Sequence, residues 1–262
     1  MGKLKKLEGK IAIVTGAGQG VGRGIALAFA KEGARLALPA RTLSKVEDVK
    51  KEIETLGSEA IAISCDVSKK EDVIKAVAET VNRYGAVDIL VNNAQSFVPA
   101  HSLIDYEDDE ISLVFNSGFM ASFWFMKECF PYLKESKGKV INMGSAIATQ
   151  AFPGYTAYAA TKEAVRALSR IAAKEWGHLG INVNCIAPAA ETNAQAESVK
   201  EMQEWSATSG TPMKIGSPVL LRKGRPEEDI GRVAVFLSSE DASYLSGYTY
   251  WVDGGFCMDS SR

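Results

Sequence analysis

Apolar and polar positions follow two rhythms that alternate along this chain. Short, nearly continuous apolar runs occur at KIAIVT (10–15), RLALPA (35–40), AIAISCDV (60–67), VDILVNN (87–93), KVINMGS (139–145), INVNCIAP (181–188) and YTYWVDGG (248–255). Apolar runs of this length, bounded by turn residues, predict strands buried on both faces. Between them the spacing becomes helical. Residues 20–32 carry Ile25, Ala28 and Phe29, while 43–57 and 69–85 each stop at a glycine. A long helix is expected over 105–135, opened by the acidic run Glu107–Glu110, which suits a helix N-terminus. Further helices are expected over 155–177 and over 226–239, the latter with Pro226 at its first position. Pro39 lacks an N–H, so pairing should fray at the end of the second strand.

Strand–helix alternation over the whole length predicts an α/β fold: a doubly wound parallel sheet of about seven strands, helices on both faces. No internal repeat or low-complexity linker divides the 262 residues, so one domain is expected over 1–262. One segment breaks the rhythm. Residues 189–223 are longer than a simple connection and leave the carboxyl end of the sixth strand, where open α/β sheets bind ligands. They read as a substrate lid. Met202, Trp205, Met213 and Ile215 suit an apolar ligand there, and equally ordinary packing or a subunit contact.

Composition narrows the classes of function. The net charge of −2 gives no reason to expect nucleic acid or anionic membrane as a partner. No run of 18 apolar residues appears, so no membrane span is expected. Cys65, Cys129, Cys185 and Cys257 form no CxxC pair, and His101 and His178 stand alone, so neither a disulfide scaffold nor a metal site is expected. The first residues, MGKLKKLEGK, lack the apolar core of a signal peptide, which points to the cytoplasm.

The chemistry begins at TGAGQGVG (15–22). It reads GxxxGxG, with Gly16, Gly20 and Gly22, between a strand and a helix. Such glycines let the backbone turn tightly and approach a pyrophosphate at the helix N-terminus, so the sheet is expected to be a Rossmann-type NAD(P)-binding one. The second strand ends in PART. It offers Arg41 and no carboxylate, which favours NADP(H) over NAD(H); the other reading of Arg41 is a solvated loop residue.

A second constellation lies in YTAYAATK (155–162). Tyr158 and Lys162 are four apart and share a helix face. A nearby ammonium stabilises phenolate, which makes a tyrosine usable as an acid or base. Tyr155 is seven from Lys162, too far to couple, and reads as a wall of the site or a helix-start residue. Ser145 follows the fifth strand and offers a hydroxyl where the cofactor should lie. Asn116, in FNSG, sits mid-helix beside Gly118, both poor helix formers; holding a water beside the lysine would explain it.

These pieces together resemble the short-chain dehydrogenase/reductase family. The matching residues are TGAGQGVG, Asp66-Val67, NNA at 92–94, Asn116, Ser145, YAATK and the ending WVDGG, in the family's order across nearly the whole chain. The resemblance implies that Tyr158 moves the proton, Lys162 holds the nicotinamide ribose, Ser145 steadies the substrate oxygen and Asn116 supports a proton relay. It implies cofactor contacts from Gly16, Gln19, Gly20, Val21, Gly22, Arg41, Asp66, Val67, Asn93, Ala94, Pro188, Ala189 and Thr192, with Asp66 and Val67 at the adenine. Substrate would meet Gln95, Ser145, Tyr155 and Tyr158. A homotetramer is also implied.

Three positions depart from the family pattern: NNAQ with Gln95, Pro188-Ala189 where proline-glycine is usual, and Gly144 before the serine. Gln95 either touches cofactor or substrate, or points to solvent. NNAQ, SGFMASFWFMKECFPYLKE and YAATKEAVRALSRIAAKEWG resemble bacterial 12α-hydroxysteroid dehydrogenases, although in that subgroup the position of Asn116 is not asparagine. The expected activity is interconversion of a secondary alcohol and a ketone. Alternatives are a small-molecule carbonyl reductase, a 3-oxoacyl-carrier-protein reductase using basic surface near Lys134, Lys137 and Lys139, or a non-catalytic NADPH-binding regulator.

Overall fold

The structure is a computed structural model that describes residues 5–211 and 218–257. The strands are β1 (Ile11–Val14), β2 (Arg35–Ala40), β3 (Ala60–Ser64), β4 (Ile89–Asn92), β5 (Lys139–Met143), β6 (Asn182–Pro188) and β7 (Thr249–Val252). They form one seven-stranded sheet in the order β3-β2-β1-β4-β5-β6-β7, parallel at every pairing. The chain reverses its direction of winding between β1 and β4, and the crevice outside the carboxyl ends of those strands is where such sheets take ligands.

The apolar runs are continuous because each face of the sheet has its own core. Ala12, Val14, Leu36, Leu38, Ile89 and Val91 pack on one side, with helices α1 (Gly20–Lys31) and α2 (Leu43–Thr55). Ile13, Ala37, Leu90, Val140 and Val183 face the other side, against α3 (Lys70–Tyr84). Successive side chains of a strand point to opposite faces, so a strand covered twice has no polar phase.

The expected fraying at Pro39 does not occur on the β3 side, where register runs through Pro39↔Ile63 to Ala40↔Ser64. The Pro39 carbonyl accepts from the Gly16 N–H at 2.9 Å, so its missing donor faces β1, beyond the last paired residues Ile13↔Ala37.

The helix expected over 105–135 is three pieces. Helix α4 (Asp108–Phe115) starts with the Glu107 N–H donating to Glu110 at 3.1 Å. A π-helical turn comes next at Asn116–Met120, and α5 (Ala121–Ser136) continues. A short α6 (Ala146–Thr149) and the long α7 (Thr156–Trp176) come after β5. A buried polar chain ties α7 to the sheet. Asn92 Nδ2 donates to Asn142 Oδ1 and Asn142 Nδ2 to Ser169 Oγ, each at 2.8 Å.

The segment after β6 contains a helix that the sequence did not announce, α8 (Asn193–Ser209). Its Met202 is buried with Tyr155 and Ala100, and Trp205 packs beside them. Met213 and Ile215 lie outside the described residues. The base of this segment is tied by a parallel bridge between Ala190 and Gly224, with Gly224 N–H donating to the Ala189 carbonyl and Glu191 N–H to the Gly224 carbonyl. The helix expected over 226–239 begins as a π-helical turn, Pro226–Gly231, and ends as α9 (Arg232–Ser238). Among the described residues no helix is long and apolar enough to cross a membrane, and no His, Cys, Asp and Glu cluster could hold a metal.

Candidate active site

Two cavities meet at the carboxyl ends of the strands. The first, of about 750 Å³, is framed by the β1–α1 loop and the ends of β2 and β3. Gly16, Gln19, Gly20, Val21 and Gly22 line it, as do Arg41, Asp66, Val67, Asn93, Ala94 and Thr192. Most of the cofactor contacts expected from the sequence are therefore brought to one place. Thr42 and Lys45 stand there with Arg41, and no motif in the sequence singles out either of them.

The loop is held shut by the residue types that the fingerprint demands. The Asn93 and Ala94 N–H groups both donate to Thr15 Oγ1 at 2.9 Å, and Asn93 Nδ2 donates to the Thr15 carbonyl at 2.9 Å. Gly16 has φ +66, and a Cβ there would come within 2.9 Å of Ala94 Cα. At Gly22 a Cβ would strike Asn93 Nδ2 and stand 2.7 Å from the Gly16 carbonyl. Helix α1 has no acidic residue in its first turn and no side-chain cap, so its first N–H groups are left for another acceptor. Gln19 at its cap instead accepts from Lys45 Nζ at 2.8 Å. An uncapped helix start, closely packed glycines and a cationic rim fit a dinucleotide phosphate chain.

At Asp66, burial works to raise the carboxyl pKa. The hydroxyl and N–H of Ser68, with Lys69 and Arg41, outweigh it and hold the group below the usual carboxylate range.

The second cavity, of about 640 Å³, opens beside the first. Ser145, Tyr158, Lys162, Pro188 and Ala189 line it together with Phe97, Ile147, Phe152, Met202 and Phe256. Pro188 and Ala189 thus face this side of the site, while Val21, Asn93, Gln95 and Thr192 line both cavities and mark the junction.

Ser145 is positioned by capping α6, its Oγ accepting from the Ile147 N–H at 3.2 Å. The same hydroxyl lies beside the Tyr158 phenol in the second cavity. Burial pushes the Tyr158 phenol above its ordinary pKa; the Ser145 hydroxyl works against this, and Tyr155 adds to it. Lys162 is buried, its Nζ donates to the Met143 carbonyl at 2.8 Å, and it lies 5.6 Å from the Tyr158 ring centre. Burial lowers its pKa to about 8, against a small opposing effect from Cys185. The expected lowering of the Tyr158 pKa by Lys162 is therefore not realised in this geometry, where burial dominates both groups.

Two expected residues do not reach the cavity. Asn116 is exposed at the start of the π turn, and the polar group that faces inward is its neighbour Ser117, 1% exposed. Ser117 Oγ accepts from the Ser96 N–H at 3.0 Å and donates to the Leu113 carbonyl at 2.7 Å. Tyr155, 1% exposed, lies under Phe97 with ring centres 5.5 Å apart and packs on Met202 of α8. It supports the wall instead of forming it. Phe97 also meets Tyr158 edge-on at 5.4 Å, and with Phe152 and Phe256 it forms apolar lining that motif reasoning missed.

Gly144 has a packing reason for its departure. A Cβ there would stand 2.9 Å from Cys185 Sγ. Gly144→Ser is expected to cost about 1–3 kcal/mol of stability through overpacking. Adding Cys185→Ala should restore most of that loss in urea unfolding; costs that simply add would show that the two sites are not competing for space.

A family model described as enoyl-(acyl carrier protein) reductase matches residues 16–257. A 12alpha-hydroxysteroid dehydrogenase of Clostridium sp. is 43% identical over 259 residues, covering 95% of this chain and 96% of the relative. A 3-oxoacyl-[acyl-carrier-protein] reductase of Staphylococcus epidermidis is 33% identical over 255 residues, covering 95% of this chain and 99% of the relative. The crystal structure of a 3-ketoacyl-(acyl-carrier-protein) reductase from Brucella melitensis complexed with NADH has a TM-score of 0.83 at 30% identity, covering 95% of this chain and 98% of that one.

Proposed function

The chain belongs to the short-chain dehydrogenase/reductase family and is an NAD(P)-dependent oxidoreductase acting on CH–OH groups; we propose that it prefers NADP(H) and interconverts a secondary alcohol and a ketone on a hydroxysteroid. The observation that carries the reaction is the grouping of Ser145, Tyr158 and Lys162 in a cavity that adjoins the dinucleotide one. The nicotinamide, when bound, supplies or accepts the hydride. The protein's own residues handle the oxygen. Ser145 and Tyr158 bond the substrate oxygen from one side. A phenol whose pKa is raised stays protonated at neutral pH and can donate to the oxygen as a ketone is reduced. Lys162 keeps positive charge beside the phenolate that forms and would hold the nicotinamide ribose.

The steroid assignment is supported by the 43% identity to a protein named for that activity and by the apolar wall of Phe97, Ile147, Phe152, Met202 and Phe256. Residues 189–223 act in this reading as a lid over that wall. Acyl-carrier substrates are the second reading, supported by the 33% identity to such a reductase. Of the lysines expected to form its basic docking face, Lys139 is 6% exposed, its Nζ donating to Asn182 Oδ1 at 2.6 Å, so it offers no ammonium for a partner to touch. Preference for NADP(H) is supported by Arg41, Thr42 and Lys45 on the rim of the first cavity. A homotetramer and a cytoplasmic location belong to the same proposal.

The test is NADP⁺ reduction with a 12α-hydroxy bile acid, run beside NAD⁺ and a 3-oxoacyl thioester. Steroid turnover that is faster with NADP⁺ is expected. Turnover confined to the thioester would overturn the steroid reading. Arg41→Ala is expected to weaken NADPH binding about 10- to 100-fold, the worth of a charge-assisted hydrogen bond, and to leave NADH binding nearly unchanged. Equal losses for both cofactors would remove the phosphate role.

A further inference from the structure

The last described residues of the chain end in the wall of the second cavity. Strand β7 stops at Val252, in register with Pro188 of β6, and the Ala189 N–H donates to the Val252 carbonyl at 3.0 Å. Phe256, just beyond, lines the cavity. A turn built on Asp253 brings it there. One Asp253 oxygen accepts from the Gly255 N–H at 2.9 Å, and the other from the Cys257 N–H at 2.8 Å. These are the amides on either side of Phe256 in the chain. Gly254 and Gly255 take φ +64 and +84, successive left-handed positions that other side chains resist. The Leu220 N–H donates to the Gly254 carbonyl at 3.2 Å, which ties the turn to the end of the 189–223 segment.

Asp253 is 5% exposed and lines neither cavity. A buried carboxylate is costly unless it is hydrogen-bonded, and this one spends both oxygens on the turn. The Phe256 ring meets that of Phe152 edge-on, with centres 6.4 Å apart and planes at 88°. Phe152 belongs to the loop after α6, so two segments remote in the chain share one aromatic wall.

We infer that Phe256 is a specificity-determining residue that selects flat, fused-ring alcohols and ketones, and that Asp253 positions it by fixing the backbone on both sides of its ring. An edge-on aromatic pair makes a fixed corner. A fused-ring molecule buries apolar surface against it without freezing internal rotors, whereas a flexible acyl chain must give them up. A ketone small enough to be held by Ser145 and Tyr158 alone gains nothing from the corner. The inference rests on the assignment of the second cavity to the substrate.

The test measures binding instead of turnover. The NADP⁺-bound protein is titrated calorimetrically with a 12-oxo bile acid, with acetylnaphthalene as a fused-ring ketone that is no steroid, and with cyclohexanone as a single ring. Phe256→Ala is expected to weaken the fused-ring ligands about 10- to 100-fold, the worth of a buried aromatic face, and to leave cyclohexanone within about threefold. Asp253→Ala should reproduce that pattern. The double variant should bind no worse than Phe256→Ala alone, because the carboxylate acts through the ring. NADPH affinity should stay within about threefold in all three variants. Fused-ring affinity that survives in Phe256→Ala overturns the specificity role, as does a wild type that binds cyclohexanone as tightly as the fused-ring ligands. Equal losses for every ligand in Asp253→Ala, or losses that add in the double variant, overturn the positioning role. If Asp253→Ala does not fold, Asp253→Asn, which keeps one acceptor oxygen, takes its place with a smaller loss of the same pattern. A bile acid that fails to bind while acetylnaphthalene depends on Phe256 removes the steroid reading and leaves this inference standing, so the two fail separately.

Discussion

Replacing Tyr158 by Phe is expected to lower kcat about 100- to 10,000-fold, the usual worth of a positioned acid or base. The substitution removes one oxygen. The ring contact with Phe97, 5.4 Å between centres, and the α7 backbone should persist. NADPH affinity should therefore change little, and the loss should appear in kcat more than in KM. Steady-state kinetics on an accepted ketone, with a fluorescence titration of NADPH, separate the two. Turnover within a few fold of wild type would sink the role given to Tyr158. A collapse in NADPH affinity of the same size would mean that the phenol acts through the cofactor site instead.

The second large effect is expected at Gly22→Val. A side chain there must displace Asn93 Nδ2 and the Gly16 carbonyl, the groups that join the β1 and β4 loops. Overpacking of that kind costs about 1–3 kcal/mol of stability. Function should suffer more, because moving the loop also moves the free N–H groups at the start of α1. NADPH binding is expected to weaken by more than about 100-fold, or about 2.7 kcal/mol, in excess of the stability loss. Thermal unfolding and an NADPH titration on the same sample check both parts. Near-normal binding would show that the cradle tolerates a side chain, and the glycine argument would fall.

Much of the fold was legible because seven apolar runs become seven strands only when both faces of a sheet are covered. The features that escaped have physical causes. Among the side chains described in helix α8 only Met202 is buried, and its apolar positions at Val199, Met202 and Trp205 are too sparse to stand out from a loop. Asn116 and Gly118 did mark the break in the long helix. Yet a π turn inserts a residue and rotates the residues beyond it, so the inward-facing position became Ser117. Helical phase puts Tyr155 on the catalytic face, but it caps α7 with φ −115 and ψ 34 and so runs with the preceding loop into the core. Lys162 and Tyr158, one turn apart within a regular helix, arrived where spacing put them. Gln95 could not be decided from spacing, because its direction depends on the space left by Gly118 on another element.

The bridge between Ala190 and Gly224 bears on how this enzyme could change. It fixes the two ends of the α8 segment side by side, so that a change of length between them is not passed to the sheet, to which the segment is otherwise tied by the packing of Met202 on Tyr155. Doubling the length of a loop whose ends are already joined adds only about 0.6 kcal/mol of closure entropy. Insertions and deletions that keep the Met202 contact then cost little for folding while they rewrite one wall of the substrate cavity. The scaffold and its specificity can be inherited as separate parts, with the reaction machinery on β5 and α7 left untouched.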